Sequence, residues 1–230
     1  MKVYVVGEPK IDWAEWGRFV EEEGLPQHVA YWVSPASDSE ILAEMAGRLC
    51  YMSYGKGRKT TQEFLGHIID VGHFSVLEHA NWTLIITGIS RSCSHELVRH
   101  RHFSFSQLSQ RYVDHTEMPI IDPPGMPEQL KPRWEQFKTT VRELYAQISA
   151  EVKAAETTSG TKQVRTIARS VLPQAIETKI TVTGNARTWR EFIQKRNIAA
   201  ADPEIRELAR TIHVELLKRA PLLFLDIDEG

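Results

Sequence analysis

Between Arg91 and Arg111 the chain places four arginines (Arg91, Arg99, Arg101 and Arg111), three histidines (His95, His100 and His102) and a single carboxylate, Glu96. Arginine offers a fixed fork of donors that matches phosphate oxygens, and the serines and glutamines in the stretch add short-range hydrogen bonds. A surface for a phosphorylated small molecule would use these residue types. So would a solvated basic helix with capping serines, and composition alone does not separate the two. Taken as a helix over residues 89–101, at about 100° per residue, the stretch aligns Ile89, Cys93 and Leu97 on one stripe. Arg91, His95 and Arg99 then fall on roughly the opposite face, where they would line a cleft.

Several other chemistries lack their residues. No G-x-G-x-x-G fingerprint, phosphate-loop lysine motif or Gly-x-Ser-x-Gly elbow occurs in the chain. His73 to His79 includes two histidines, but not in the His-Glu-x-x-His order that puts two zinc ligands on one helical face. Cys50 and Cys93 are the only cysteines, too few for a disulfide framework or a four-thiolate site. Both read as small core residues, Cys93 on the apolar stripe and Cys50 late in an amphipathic helix, so a cysteine nucleophile is not expected.

The elements that must position these groups follow from periodicity and capping. Strands are expected at residues 2–6, 81–89, 110–115 and 179–183. Helices are expected at 13–23, at 37–49 after a serine start, and at 60–72 with Phe64, Ile68 and Ile69 inward and Gly72 at its end. Residues 26–35 read as a connection and 73–79 as a helix-to-strand turn. A loop with four prolines covers 119–127, the only candidate boundary in the chain. A long helical pattern runs over 128–156, is broken at 157–160, and is followed by a helix at 162–172 that Pro173 stops. Asn185 is a plausible N-cap for a helix carrying Trp189, Phe192, Ile193 and Arg196 on one face. An arginine on an apolar stripe is out of place unless it snorkels past or bonds carbonyls at the helix end. Asp202-Pro203 opens a last helix to about Ala220, and an apolar tail follows at 222–225.

With 230 residues the chain can bury a substantial core, and 42% hydrophobic with 25% charged residues is ordinary for a soluble globular protein. A net charge of −2 argues against nucleic-acid binding by bulk electrostatics. No apolar run reaches membrane-spanning length, and the amino-terminal stretch does not read as a secretory signal. A cytoplasmic, reducing setting is expected. No internal repeat or convincing linker divides the chain, so residues 1–230 read as one α+β domain with a small antiparallel sheet and many helices.

Arg99-His100-Arg101, seven further residues and then Ser109 resemble the RHR-x7-S signature of the flavin-dependent thymidylate synthases. The His-Phe-Ser turn at 73–75 and the segments around Arg169 and Asn185 resemble further family motifs, and the resemblance spans roughly residues 37–225. It implies a central, mostly antiparallel sheet flanked by helices, and a homotetramer with active sites shared between subunits. The implied reaction is reductive methylation of dUMP to dTMP, with 5,10-methylenetetrahydrofolate as carbon donor, FAD as hydride carrier and NADPH as reductant, without a cysteine nucleophile. No partner nucleic acid or membrane is implied.

Carried over residue by residue, the family's dUMP contacts fall on Glu96, Arg99, Gln107, Leu108, Ser109, Gln110, Arg111, Arg169 and Arg196. Arg91 is a further phosphate candidate because it shares a face with Arg99. Flavin contacts fall on Ser75, Arg99, His100, Arg101, Gln107, Asn185, Arg187 and the position of Glu191. Arg196 matches the arginine that polarises N3 of the pyrimidine and is the expected catalytic residue. Glu96, three residues before Arg99, is spaced to orient it. Ser109 is expected to position the base rather than attack it. His73 is the candidate for the folate or nicotinamide face. Glu191 departs from the family's usual Asn or His and is expected to face solvent, away from flavin phosphates; the alanine-rich segment 197–201 is a second departure. A non-catalytic FAD/dUMP sensor and a polynucleotide-binding protein using residues 91–111 are the alternatives.

Overall fold

The computed structural model describes residues 1–26, 29, 34–54, 57–155 and 160–228; the expected connection at 26–35 and the break at 157–160 lie partly outside them. Local capping sets where the helices begin. Helix α1 (Trp13–Glu22) starts on Asp12, whose carboxylate accepts from the amides of Ala14 and Glu15 at 3.1 Å. Helices α2 (Asp38–Tyr51) and α3 (Thr61–Asp70) start on reciprocal capping boxes, Ser37 with Glu40 and Thr60 with Glu63. A 3₁₀ turn, Phe74–His79, leads from α3 into the sheet.

The sheet has four antiparallel strands: β1 (Lys2–Gly7), β2 (Asn81–Ser90), β3 (Ser104–Gln107) and β4 (Glu177–Asn185), in the order β1-β2-β4-β3. Trp82, Leu84 and Ile86 of β2 and Ile180 and Val182 of β4 point into the core. Thr83, Ile85, Thr181 and Thr183 lie half-exposed on the other face, as period-two alternation requires. Gly88 breaks that alternation. It takes a left-handed φ of 69° where the β2–β4 register shifts between Ile86 and Ile89. After this bulge Ile89 and Ser90 are both buried. Ser90 donates its amide and hydroxyl to Glu204 at 2.7 and 2.6 Å. Its hydroxyl oxygen also accepts from the Cys93 amide at 3.0 Å, which starts helix α4 (Arg91–Leu97).

Helices α7 (Ala186–Arg196), α8 (Pro203–Leu217) and α9 (Pro221–Phe224) cover the core face of the sheet. Asn185 and Asp202 cap α7 and α8 as the sequence predicts. Trp189, Phe192, Ile193, Leu208 and Ile212 are fully buried. Arg190 fastens the chain end: it donates to the Leu223 carbonyl and forms a two-pronged pair with Asp226.

Several boundaries differ from the sequence expectation. Residues 110–115 form turns, because the Ser109 carbonyl and hydroxyl capture the amides of Arg111, Tyr112 and Val113. The strand is instead Ser104–Gln107, whose polar serines mask its pairing with β4. The expected helix over 89–101 is only Arg91–Leu97; Ile89 belongs to β2, yet is buried with Cys93 and Leu97 as its apolar character demands. Helix α6 (Thr161–Ala168) gives way to a 3₁₀ turn at Arg169–Val171 before Pro173, and α8 stops at Leu217. Helix α5 (Lys131–Ala155) buries only Val141 and Tyr145 fully. Cys50 is exposed, not core, because the last turn of α2 leaves the body with Leu49 and Tyr51.

Gly184 is required by a close approach. A Cβ there would lie 2.3 Å from Cδ1 of Phe103, whose ring packs 4.3 Å from Trp189. Gly184→Ala is expected to cost about 1–3 kcal/mol of stability, the usual range for overpacking. The check is the midpoint of chemical denaturation; an unchanged midpoint would mean Phe103 yields freely.

Candidate active site

Helix α4 and the turn after it bring the charged motif to the sheet edge. The amides of Arg91 and Ser92 donate to the carbonyls of Ile176 and Gln174 at 3.0 Å, which anchors the start of α4 ahead of β4. After Leu97 the chain tightens: the amides of Arg99, His100 and Phe103 donate to the carbonyls of Glu96, Leu97 and His100 respectively. Phe103 buries itself against Trp189 and Phe192, and this anchors the turn that holds Arg99, His100 and Arg101. Arg99 and Arg101 are exposed, with no carboxylate partner among the described residues.

Arg196 reaches this turn from the end of α7. Its Nη1 donates to Glu96 Oε2 at 2.8 Å and its Nε to His100 Nε2 at 3.1 Å. The arginine on an apolar stripe is therefore neither snorkelling nor capping its own helix; it crosses to a second element. Glu96 thus orients Arg196 rather than Arg99, a correction to the i, i+3 expectation: the carboxylate meets the guanidinium that tertiary packing delivers. The His100 ring stands edge-on to Phe192 at 5.1 Å. Burial first, then Arg196, hold its pKa below the ordinary histidine value. A neutral His100 is what the bond from Arg196 requires, since only the unprotonated Nε2 accepts.

A second cationic group lies at the other end of α4. Arg91 is half-buried, and its pKa is lowered by burial and then by the charge of Arg169. Neither has a carboxylate partner among the described residues. Like charges near each other repel unless an anion joins them. The loop at 108–115 is tied beside them: Arg111 Nε donates to Thr166 at 3.3 Å, and Arg165 donates to the Tyr112 carbonyl at 2.7 Å. Leu108 donates its amide to the Lys179 carbonyl at 2.8 Å, while Ser109 and Gln110 are half-exposed. The Ser109 hydroxyl accepts from the Arg111 amide at 3.3 Å and has no histidine partner among the described residues. Gln107 points its amide nitrogen inward to Ser94 and Thr178 at 2.8 and 3.1 Å, which leaves ligand contact to its oxygen.

The start of α7 and the 3₁₀ turn carry the remaining candidates. Asn185 spends its side-chain oxygen on Thr188, and Arg187 pairs with Glu78 at 2.7 Å. Ser75 is exposed on the same turn as Glu78. His73 is exposed at its start, with Nδ1 3.2 Å from the Tyr51 hydroxyl. Glu191 is half-exposed and bonded to Lys195, which holds its carboxyl below the usual range. Sequence reasoning misses Lys195, Arg165 and Thr166. Lys195 stands four residues after Glu191 and Arg165 four before Arg169, the spacing of helical neighbours.

Cys93 is sealed in the core and burial raises its thiol pKa well above the usual range, so it supplies no thiolate. No cluster of metal-ligating side chains occurs among the described residues, and no described helix is long and apolar enough to cross a membrane. A cleft of about 180 Å³ is lined by Arg99, His100, Arg101, His102, Thr188, Glu191 and Lys195. Its donors outnumber its single carboxylate, which pairs with Lys195, so the cleft favours an anionic group over a neutral one.

Residues 30–222 match the family described as thymidylate synthase complementing protein. The chain is 46% identical over 211 residues to the flavin-dependent thymidylate synthase of Mycobacterium sp. (strain KMS), covering 86% of this chain and 83% of that protein. It is 47% identical over 209 residues to the protein of the same description from Mycobacterium tuberculosis (strain ATCC 25618 / H37Rv), with the same coverage.

Proposed function

The chain belongs to the flavin-dependent thymidylate synthases, and we propose that it methylates dUMP reductively to dTMP at the surface formed by α4, the turn after it and α7. It is an enzyme with a flavin cofactor. The finer reading is that the flavin is FAD, that 5,10-methylenetetrahydrofolate gives the carbon and NADPH the reducing equivalents, and that residues 1–230 act as one cytoplasmic domain. A homotetramer with shared sites belongs to the same reading. Exposed Arg99, Arg101 and Arg169, without carboxylate partners among the described residues, support it because they direct donors outward.

The observation that carries the assignment is the meeting of Arg196 with Glu96 and His100. Two nitrogens of the guanidinium are fixed by these bonds, which leaves Nη2 for a ligand. A fixed cation within about 4–6 Å of the pyrimidine N3 would lower its pKa by ~1–3 units. That raises electron density at C5, where the carbon is to be accepted. A flavin held by the turn after α4 and the start of α7 would supply the hydride that completes the methyl group. Arg91 and Arg169 would hold the nucleotide phosphate, with Glu96, Gln107, Leu108, Ser109, Gln110 and Arg111 around the sugar and base. Ser75, Arg99, His100, Arg101, Asn185, Arg187 and Glu191 would hold the flavin. Glu191 lines the cleft but is neutralised by Lys195, which removes the repulsion a lone carboxylate would exert on phosphates. His73, exposed beside Tyr51, would meet the folate or nicotinamide.

Visible absorbance tests the assignment. The protein loaded with FAD and freed of excess should keep an oxidised-flavin band that shifts as dUMP is added. A band that ignores dUMP would separate the two ligands and refute a shared site.

A further inference from the structure

Ser94 has no part in the chemistry above, yet it is 2% exposed and lies against Gln107. Its hydroxyl donates to the Arg91 carbonyl at 2.9 Å. That commits the proton, because a carbonyl oxygen only accepts. Ser94 Oγ can then only accept from the Gln107 side chain, 2.8 Å away. The end of the amide that meets it must be the nitrogen, since an oxygen there would set two acceptors against each other. The second proton of Nε2 goes to Thr178 Oγ1 at 3.1 Å. Thr178 alone does not choose between the two ends of the amide. Its hydroxyl donates to no described group, so it can turn to give a proton as readily as to take one. Ser94 makes the choice. Gln107 is half-exposed at the end of β3, opposite Ile180 of β4, and its side-chain oxygen accepts from no described residue.

Held this way, Gln107 offers a nucleotide an acceptor and no donor. At pH 7.5 dUMP has two protons to give, on N3 and on the 3′-hydroxyl, since a phosphate with a second pKa of about 6 is almost all dianion there. Arg196 favours N3 without its proton, which leaves the sugar hydroxyl. We propose that Ser94 is a positioning residue for nucleotide specificity: it fixes the Gln107 amide so that the amide oxygen accepts the 3′-hydroxyl of dUMP. The proposal rests on the nucleotide reading above. A nucleotide carrying only an acceptor at C3′ would meet that oxygen with a second electronegative atom and leave it unpaired, so the site rejects it.

The test is calorimetric titration of the flavin-loaded protein with dUMP and with its analogue in which fluorine replaces the 3′-hydroxyl. Fluorine has nearly the size of a hydroxyl and cannot donate. Wild type should bind dUMP about tenfold or more tighter than the analogue. In Ser94→Ala the amide is free to turn, with Thr178 donating to its oxygen, and its nitrogen can face the fluorine. The preference should then shrink to about twofold or less. The ratio is taken within one protein, so a general loss of stability or a shift of α4 weakens both ligands alike and leaves it unchanged. Ser94→Cys, which keeps the buried volume but offers only a weak acceptor, is the second variant should alanine not fold, and it should lose the preference too. Equal binding of the two nucleotides by wild type would turn the Gln107 oxygen away from the sugar and overturn the proposal. A full preference retained in either variant would overturn the role of Ser94. No binding of dUMP to wild type at all would refute the nucleotide reading instead, and this proposal with it.

Discussion

Arg196→Ala should lower kcat for dTMP formation by about a hundredfold or more, while the protein stays folded and keeps its flavin. The magnitude follows from the loss of one fixed donor at a centre of developing charge, which typically costs about 10²–10³ in rate. Arg196 is only partly buried and ends its helix, so its removal opens no core cavity. It does leave Glu96 without its ion-pair partner, at a side chain 30% exposed and so within reach of water. Single-turnover kinetics separate the chemical step from binding. Wild-type turnover in the variant would sink the role assigned to Arg196. A pH profile adds an independent check. His100 accepts from Arg196 only while neutral, and protonation would set two cations side by side. Since burial and Arg196 depress the His100 pKa, activity should hold through neutral pH and fall on the acid side, below the ordinary histidine range.

Arg169→Ala should raise KM for dUMP by about 10–100-fold and change kcat little. A hydrogen bond to a charged group contributes about 1.5–3 kcal/mol, and each 1.4 kcal/mol is a factor of ten. The phosphate is distant from the reacting carbon, so the interaction is the same in ground and transition states and appears in KM. Arg169 is exposed, so a loss of stability does not confuse the result. Removing it also relieves Arg91 of a like charge, which makes the free site less strained and the loss smaller than two independent contacts would suggest. Arg169→Lys should restore only part of the affinity, because an ammonium lacks the planar fork. A fall in kcat with KM unchanged would place Arg169 at the base instead of the phosphate.

Much of the fold and of the site is legible in the amino-acid sequence, and the exceptions have identifiable causes. Helix starts at Ser37, Thr60, Asn185 and Asp202 are readable because a capping side chain acts on amides two or three residues away. The odd placement of Arg196 on an apolar stripe is readable too, though not its destination. Glu96 lies a hundred residues away in sequence, and only the packing of α7 on the sheet brings the two together. Strand β3 is hidden for the opposite reason. Ser104 and Ser106 carry little strand preference, and the segment is a strand because β4 offers it an edge. Neither does local propensity mark Gly88, whose bulge delivers Ser90 to Glu204, or the loss of Cys50 and Leu49 to solvent. The charged motif is visible as chemistry, while Lys195 and Arg165 leave only a four-residue spacing as a trace in the sequence and Thr166 emerges from its contact with Arg111.

Asn185, Arg187, Glu191 and Arg196 all hang from one helix, α7, or its cap, and that helix is wedged by Trp189, Phe192 and Ile193. Flavin and nucleotide would then share a single mechanical frame. A displacement of α7 that improves the fit of one changes the fit of the other, so their binding free energies are linked, and linkage is reciprocal: each alters the affinity of the other by the same factor. On the proposed assignment, coupling between cofactor and substrate would run through the buried face of α7, and a residue such as Trp189 would be constrained by that coupling as well as by packing.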